Sequence, residues 1–153
     1  MKKLICGVLA GALLLAACAA CSKKEPEPSF AAEATVQALL DSGAFSETLE
    51  ELDPTLLFPL SGEAEDYEGS VLYYSTGATA ETAAVITVRD ADQTAAVEDT
   101  LRAWVENQIA AERDYRPAEA EKLEHAILET RGFTVLLVVA SDWDKAAQAI
   151  PAE

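Results

Sequence analysis

Towards the end of this chain, Phe133-Thr-Val-Leu-Leu-Val-Val-Ala140 runs almost without a polar residue. A strand with one wet face would alternate apolar and polar residues. A nearly continuous apolar run of strand length instead calls for a central strand, covered on both faces or partly covered by helices. The rest of the chain has to supply that cover.

Upstream, Ala126 to Thr130 reads as the antiparallel partner of this strand, with Arg131-Gly132 as the turn. Val71 to Thr76 and Ala83 to Val88 are rich in β-branched and aromatic residues, and Gly77 to Glu81 between them carries turn chemistry, so a second hairpin is predicted. Asp90-x-x-Gln93 has the spacing of a capping box, which announces a helix. In the segment that follows, Val97, Leu101, Trp104, Val105 and Ile109 fall on one stripe while Glu98, Arg102, Glu106 and Arg113 point away, as in a long helix packed against a sheet. Pro117 interrupts it, and Ala118 to Leu123 adds a further turn.

Nearer the N-terminus, Val36, Leu39 and Leu40 recur at helical spacing, and Asp41-Ser42-Gly43 supplies a stop. Ser46 to Leu52 is expected to form another helical turn, ended by Asp53-Pro54. Leu56 to Leu60 is an apolar link pinned to the core, Ser61 to Gly69 is acidic and turn-rich, and Asp142 caps a last helix running through Ile150. The predicted fold is α+β: a mainly antiparallel sheet of about four strands in two hairpins, packed by one long helix and shorter terminal helices. Trp104 belongs to the core, and Trp143 seals the final helix.

The first residues have a different character. Met1-Lys2-Lys3 is a basic start, and Leu4 to Ala17 is uncharged and rich in Leu and Ala, the layout of a secretory signal peptide and too short for an ordinary membrane span. Leu15-Ala16-Ala17-Cys18 follows the bacterial lipobox pattern: an apolar residue, two small ones that let the backbone enter a peptidase, and a thiol able to take a diacylglyceryl thioether. Cys18 is therefore the predicted lipid attachment site, with Cys21 the poorer alternative because Cys18 would occupy its −3 position. Two long acyl chains of the palmitate class, at about 0.8 kcal/mol per buried methylene, anchor stably where one would be marginal. The expected organisation is a signal peptide over 1–17, a lipid-anchored polar linker over 18–29 with prolines that favour extension, and a single domain over 30–153. A domain of this size buries roughly two-thirds of its unfolded surface, enough for one core.

Charge and cysteine content narrow the function. The chain carries a net charge of −16, and loss of Lys2 and Lys3 with the signal makes the mature protein more negative still. Nucleic acid is excluded as a partner, because binding a phosphate backbone needs clustered Lys and Arg. Anionic lipid is repelled, which leaves the acyl anchor to hold the protein at the membrane. Of Cys6, Cys18 and Cys21, the first leaves with the signal and the second is acylated, so an internal disulfide is not expected.

Tyr115-Arg116-Pro117, Lys122-Leu-Glu-His-Ala-Ile-Leu128 and Gly132-Phe-Thr-Val-Leu-Leu-Val-Val139-Ala-Ser-Asp142 together resemble a family of short lipoproteins from clostridia-like Gram-positive bacteria. That family is defined only as a domain of unknown function, and the resemblance extends over about residues 33–150. Family members often carry Asn-Tyr after the glycine, where this chain has Phe133-Thr134. The resemblance implies lipoprotein status and a shared fold, and it implies no activity.

No catalytic, cofactor or metal residue is predicted. His125 is the only histidine, and it has neither a neighbouring nucleophile nor an orienting pattern. The acidic groups Glu63, Glu65, Asp66 and Glu68, Asp90 with Asp92, and Asp142 with Asp144 lack calcium-loop spacing and read as solvated loops and caps. Tyr73 and Tyr74 are the binding-surface candidates, since successive strand residues face opposite ways and both cannot enter one core face. The expectation is a membrane-anchored extracytoplasmic lipoprotein whose non-enzymatic domain binds an envelope protein or a small ligand. The alternatives are a carboxylate-dependent hydrolase acting on cell-wall material, or a solute-capturing accessory to a transporter.

Overall fold

The computed structural model describes residues 29–77 and 79–152. The predicted signal peptide, Cys18 and all of the linker before Ser29 lie outside the described residues. Helices α1 (Ala32–Asp41), α2 (Pro54–Leu57), α3 (Thr94–Glu112), α4 (Pro117–Glu124) and α5 (Trp143–Ala149) surround five strands. The strands are β1 (Glu50–Glu51), β2 (Val71–Tyr74), β3 (Thr82–Thr87), β4 (Ile127–Arg131) and β5 (Thr134–Val139), in spatial order β1-β2-β3-β5-β4 with every pairing antiparallel. The α+β class and the antiparallel sheet are as expected. The count of about four strands is corrected to five, and the expected helical turn over Ser46 to Leu52 is replaced by a loop and β1.

Local chemistry explains most boundaries. Gly43 follows α1 at φ 73°, the left-handed turn that ends a helix at little cost for glycine. Asp90 and Gln93 form the reciprocal capping box, closing a 3-10 turn (Ala91–Gln93) that leads into α3. Pro117 opens α4, where its missing N–H is harmless. Gly132 takes φ 53° in the two-residue turn between β4 and β5, a conformation tight hairpins require. Asp142 accepts the Lys145 N–H at 3.0 Å and caps α5.

β5 is the central strand that its sequence demands, with all six residues buried. In register with β3, its side chains divide between two cores. Val135, Leu137 and Val139 join Leu72, Ala84 and Ile86 beneath Val97, Leu101 and Trp104 of α3, with Phe58 and Leu123 completing the layer. Leu136 and Val138 join Ala83 and Val85 beneath Val36 and Leu39 of α1 and Ala146 of α5. Phe58 meets Trp104 edge-on, with ring centroids 5.2 Å apart. The result is three layers, α3 and α4 on one face of the sheet, α1 and α5 on the other.

Candidate functional site

At the end of the sheet where β3 begins, four separate segments bring ionisable and hydroxyl side chains together. The loop from β2 to β3 supplies Ser75, Thr79 and Glu81. The loop after α1 supplies Ser46 and Glu47, α4 supplies Glu119 and Lys122, and the corner between β5 and α5 supplies Ser141. Glu81 is fully buried. Its carboxylate accepts the Ser46 N–H at 3.0 Å, the Ser46 hydroxyl at 3.0 Å and a short hydrogen bond from the Ser141 hydroxyl. Lys122 Nζ lies 3.5 Å from Glu81 and 3.0 Å from Glu119. Glu119 in turn accepts the Ala80 N–H at 2.8 Å, and Glu47 accepts the hydroxyls of Ser75 and Thr79.

Burial pushes the Glu81 carboxyl up, but the bonds from Ser141 and Ser46 and the charge of Lys122 outweigh it, so the group lies below its ordinary pKa. Glu47 is also lowered, by its bonds from Ser75 and Thr79. These groups are held ionised and fully engaged. A serine nucleophile activated by lysine needs a neutral amine facing the hydroxyl, whereas the Lys122 ammonium here lies against two carboxylates and the serine protons go to Glu81. The cluster therefore acts as a tie between four segments. Sequence reasoning missed it, because its members are spread from Ser46 to Ser141. The one local signal was a glutamate immediately before an apolar strand.

The sequence candidates are scattered. Tyr73 lies on the α1 face of the sheet and Tyr74 on the α3 face, both partly buried against the respective cores. Tyr73 also lines a groove of about 440 Å³ between α1 and the sheet edge, with Glu33, Val36, Gln37, Glu51 and Val71. His125 follows α4 and is exposed, its ring stacked on Trp143 at 3.9 Å between centroids and 8° between planes. Trp143 thus meets the C-cap residue of α4 as well as opening α5. Of the acidic groups, Asp66 accepts the Glu63 N–H and pairs with Arg89 at 3.3 Å, Asp90 belongs to the capping box, and Asp142 caps α5. Among the described residues, no group of three or more His, Cys, Asp or Glu side chains is placed to hold a metal ion.

Compared with known proteins, the sequence matches the profile of a family described as a domain of unknown function over residues 61–140. That stretch spans β2 through β5 with α3 and α4, and leaves α1, β1, α2 and α5 outside. No curated protein and no solved structure matches the chain.

Proposed function

The chain belongs to the family Domain of unknown function (DUF4358), and from that premise we propose that it is a lipid-anchored, extracytoplasmic lipoprotein whose domain is a non-enzymatic binding module of the cell envelope. The observation that carries the reading is Leu15-Ala16-Ala17-Cys18, set directly after a basic start and an uncharged Leu- and Ala-rich stretch. Ten residues then lead to Ser29, where the described domain begins. Among the described residues no helix is long and apolar enough to cross a membrane, so an acyl group on Cys18 would be the link. The non-enzymatic part is supported by how the ionisable groups are used: Glu81 and Lys122 in a buried tie, and His125 stacked on an indole.

Cys18→Ser tests the anchor. The wild-type protein, labelled with a radioactive or alkyne fatty acid, should yield a mature N-terminus at an acylated Cys18 by mass spectrometry. The variant should lose the label and remain uncleaved or be shed. Normal labelling of the variant would transfer the assignment to Cys21.

The binding reading ranks the surface residues. His125→Ala should cost about 1 kcal/mol or less, the scale of one exposed ring stack, and should leave the proteins captured from intact membranes unchanged. Tyr73→Ala, which opens the groove beside α1, should reduce that capture. The reverse pattern would favour chemistry at His125.

A further inference from the structure

We propose that the end of the domain carrying Ser29 is a membrane-contacting surface, with the turn between β4 and β5 seating the Phe133 ring at the headgroup and acyl boundary of the bilayer. The proposal rests on the lipid-anchored reading above.

Three hydrogen bonds gather the chain at this end of the sheet. The Phe133 N–H donates to Ser29 Oγ at 2.8 Å, the Phe30 N–H donates to Thr134 Oγ1 at 2.9 Å, and Arg131 Nη1 donates to the Pro151 carbonyl at 2.8 Å. The start of the described chain, the hairpin turn and the last residues after α5 therefore meet. Ten residues separate Cys18 from Ser29, a spacer that reaches at most about 40 Å. The six-residue strands β3 and β5 stand about 20 Å tall, so the opposite end turns to the membrane only if the spacer doubles back along the domain. The anchor thus biases the Ser29 end towards the bilayer.

What that end presents is apolar at its apex. Leu56, Tyr115 and Phe133 are the large apolar side chains exposed among the described residues, and Phe133, at 37% exposure, is in the hairpin turn whose backbone bonds Ser29. Tyr115 projects from the turn between α3 and α4, at the opposite end with the Glu81 cluster. At the same end is a hollow of about 440 Å³ lined by Phe30, Ala31, Ala34 and Pro151 together with Thr35 and Arg131. An exposed phenyl ring on a hairpin turn can bury its apolar body at the headgroup and acyl boundary, as the Trp, Phe and Leu side chains of interfacial segments do. The cation nearby is not offered to headgroups: Arg131 pairs with Glu129 at 2.6 Å and lies over the Phe30 ring at 4.3 Å. With Glu63, Glu65 and Glu68 in the loop that leads into β2 at the end of the sheet where β5 begins, the contact favours neutral or zwitterionic lipid over anionic lipid.

The test uses the mature chain from Cys18 with Cys21→Ser, coupled through Cys18 to a maleimide lipid in phosphatidylcholine nanodiscs doped with a gadolinium-chelating lipid. Paramagnetic relaxation of the backbone amides is then read by NMR. Enhancement at Gly132 and Phe133 should be severalfold that at Tyr115, and Phe133→Ser should cut this ratio by at least half while leaving Tm in solution unchanged. Replacing part of the phosphatidylcholine with phosphatidylglycerol should also lower it. Equal enhancement at the two ends, or a ratio that Phe133→Ser leaves untouched, overturns the proposal. Because the anchor is installed chemically, a protein that is never acylated in the cell is revealed separately by the Cys18 mass analysis.

Discussion

Glu81→Ala is expected to destabilise the domain by about 3–5 kcal/mol, the range for removing one partner of a buried ion pair, and to lower Tm by roughly 10 °C or more. The carboxylate is fully buried and is the acceptor shared by Ser46, Ser141 and Lys122. Its removal leaves the Ser46 N–H and the Ser141 hydroxyl short of an acceptor, at about 1–3 kcal/mol for each that water does not reach. Lys122 loses one of its two carboxylate ion pairs among the described residues and keeps the one with Glu119. Glu81→Gln, which preserves volume and one acceptor oxygen, should cost less than Glu81→Ala, and Glu68→Ala, on the exposed loop before β2, should stay within about 0.5 kcal/mol. Urea unfolding at neutral pH measures all three. A loss below about 1 kcal/mol for Glu81→Ala would mean that the cluster contributes little to holding its four segments together.

The same group sets a pH dependence. The folded-state pKa of Glu81 lies below its unfolded value, so the unfolded chain takes up the proton first on acidification. The stabilisation from ionised Glu81 is fully present above the unfolded carboxyl pKa of about 4.3 and is lost as pH falls through the lowered folded value. The stability gap between wild type and Glu81→Ala should therefore be constant from neutral pH down to about pH 5 and narrow below about pH 4. Glu47 is shifted in the same direction and remains in the variant, so the variant should keep a weaker acid sensitivity of its own.

The elements that were legible in the sequence are those whose signal is local. The stripe on α3, the capping box before it, the stop after α1 and the turn at Gly132 each depend on residues within a few positions of one another. Pairing of neighbouring strands followed from the same logic, since β2 with β3 and β4 with β5 are consecutive in the chain. β1 had no such signal. Its two residues, Glu50 and Glu51, are both exposed, and they are strand only because they lie opposite Tyr74 and Tyr73 of β2, with the Leu52 N–H donating to the Leu72 carbonyl at 3.0 Å. The junction of β3 with β5 likewise joins residues about fifty positions apart, and periodicity carries no information about it. The Glu81 cluster is the extreme case. Ser46, Lys122 and Ser141 are ordinary surface residues in their local context, Glu81 is marked only by the apolar strand that follows it, and only the completed topology buries a carboxylate among them. Strand alternation puts Tyr73 and Tyr74 on opposite faces, as observed, but it carries no information on how far the cover of each face reaches over β2, which leaves both rings partly buried.

Leu136→Ala and Leu137→Ala should be destabilising to a similar degree, each by about 2–5 kcal/mol. The two residues are neighbours on β5 and point to opposite faces. In a sheet with one wet side, one of them would be exposed and its truncation would cost little. Here both are fully buried. Leu137 sits opposite Ala84 and packs into the core beneath α3, while Leu136 sits opposite Val85 and packs into the core beneath α1 and α5. The second of these cores is the less obvious one, because α1 and α5 both lie outside the stretch 61–140 that defines the family match. If those terminal helices were only loosely applied to the sheet, Leu136 would repack or hydrate cheaply and the two variants would separate, Leu137→Ala remaining costly and Leu136→Ala falling below about 1 kcal/mol. The small side chains of β3 argue for tight application instead: Ala83 is fully buried on the α1 face, where a side chain of that size lets the helix approach closely, and such a site collapses poorly when a neighbouring leucine is cut back. Equal losses from denaturant unfolding, with unchanged m-values to show that the unfolded states are comparable, would establish that the terminal helices and the family-matched segment form one cooperative unit.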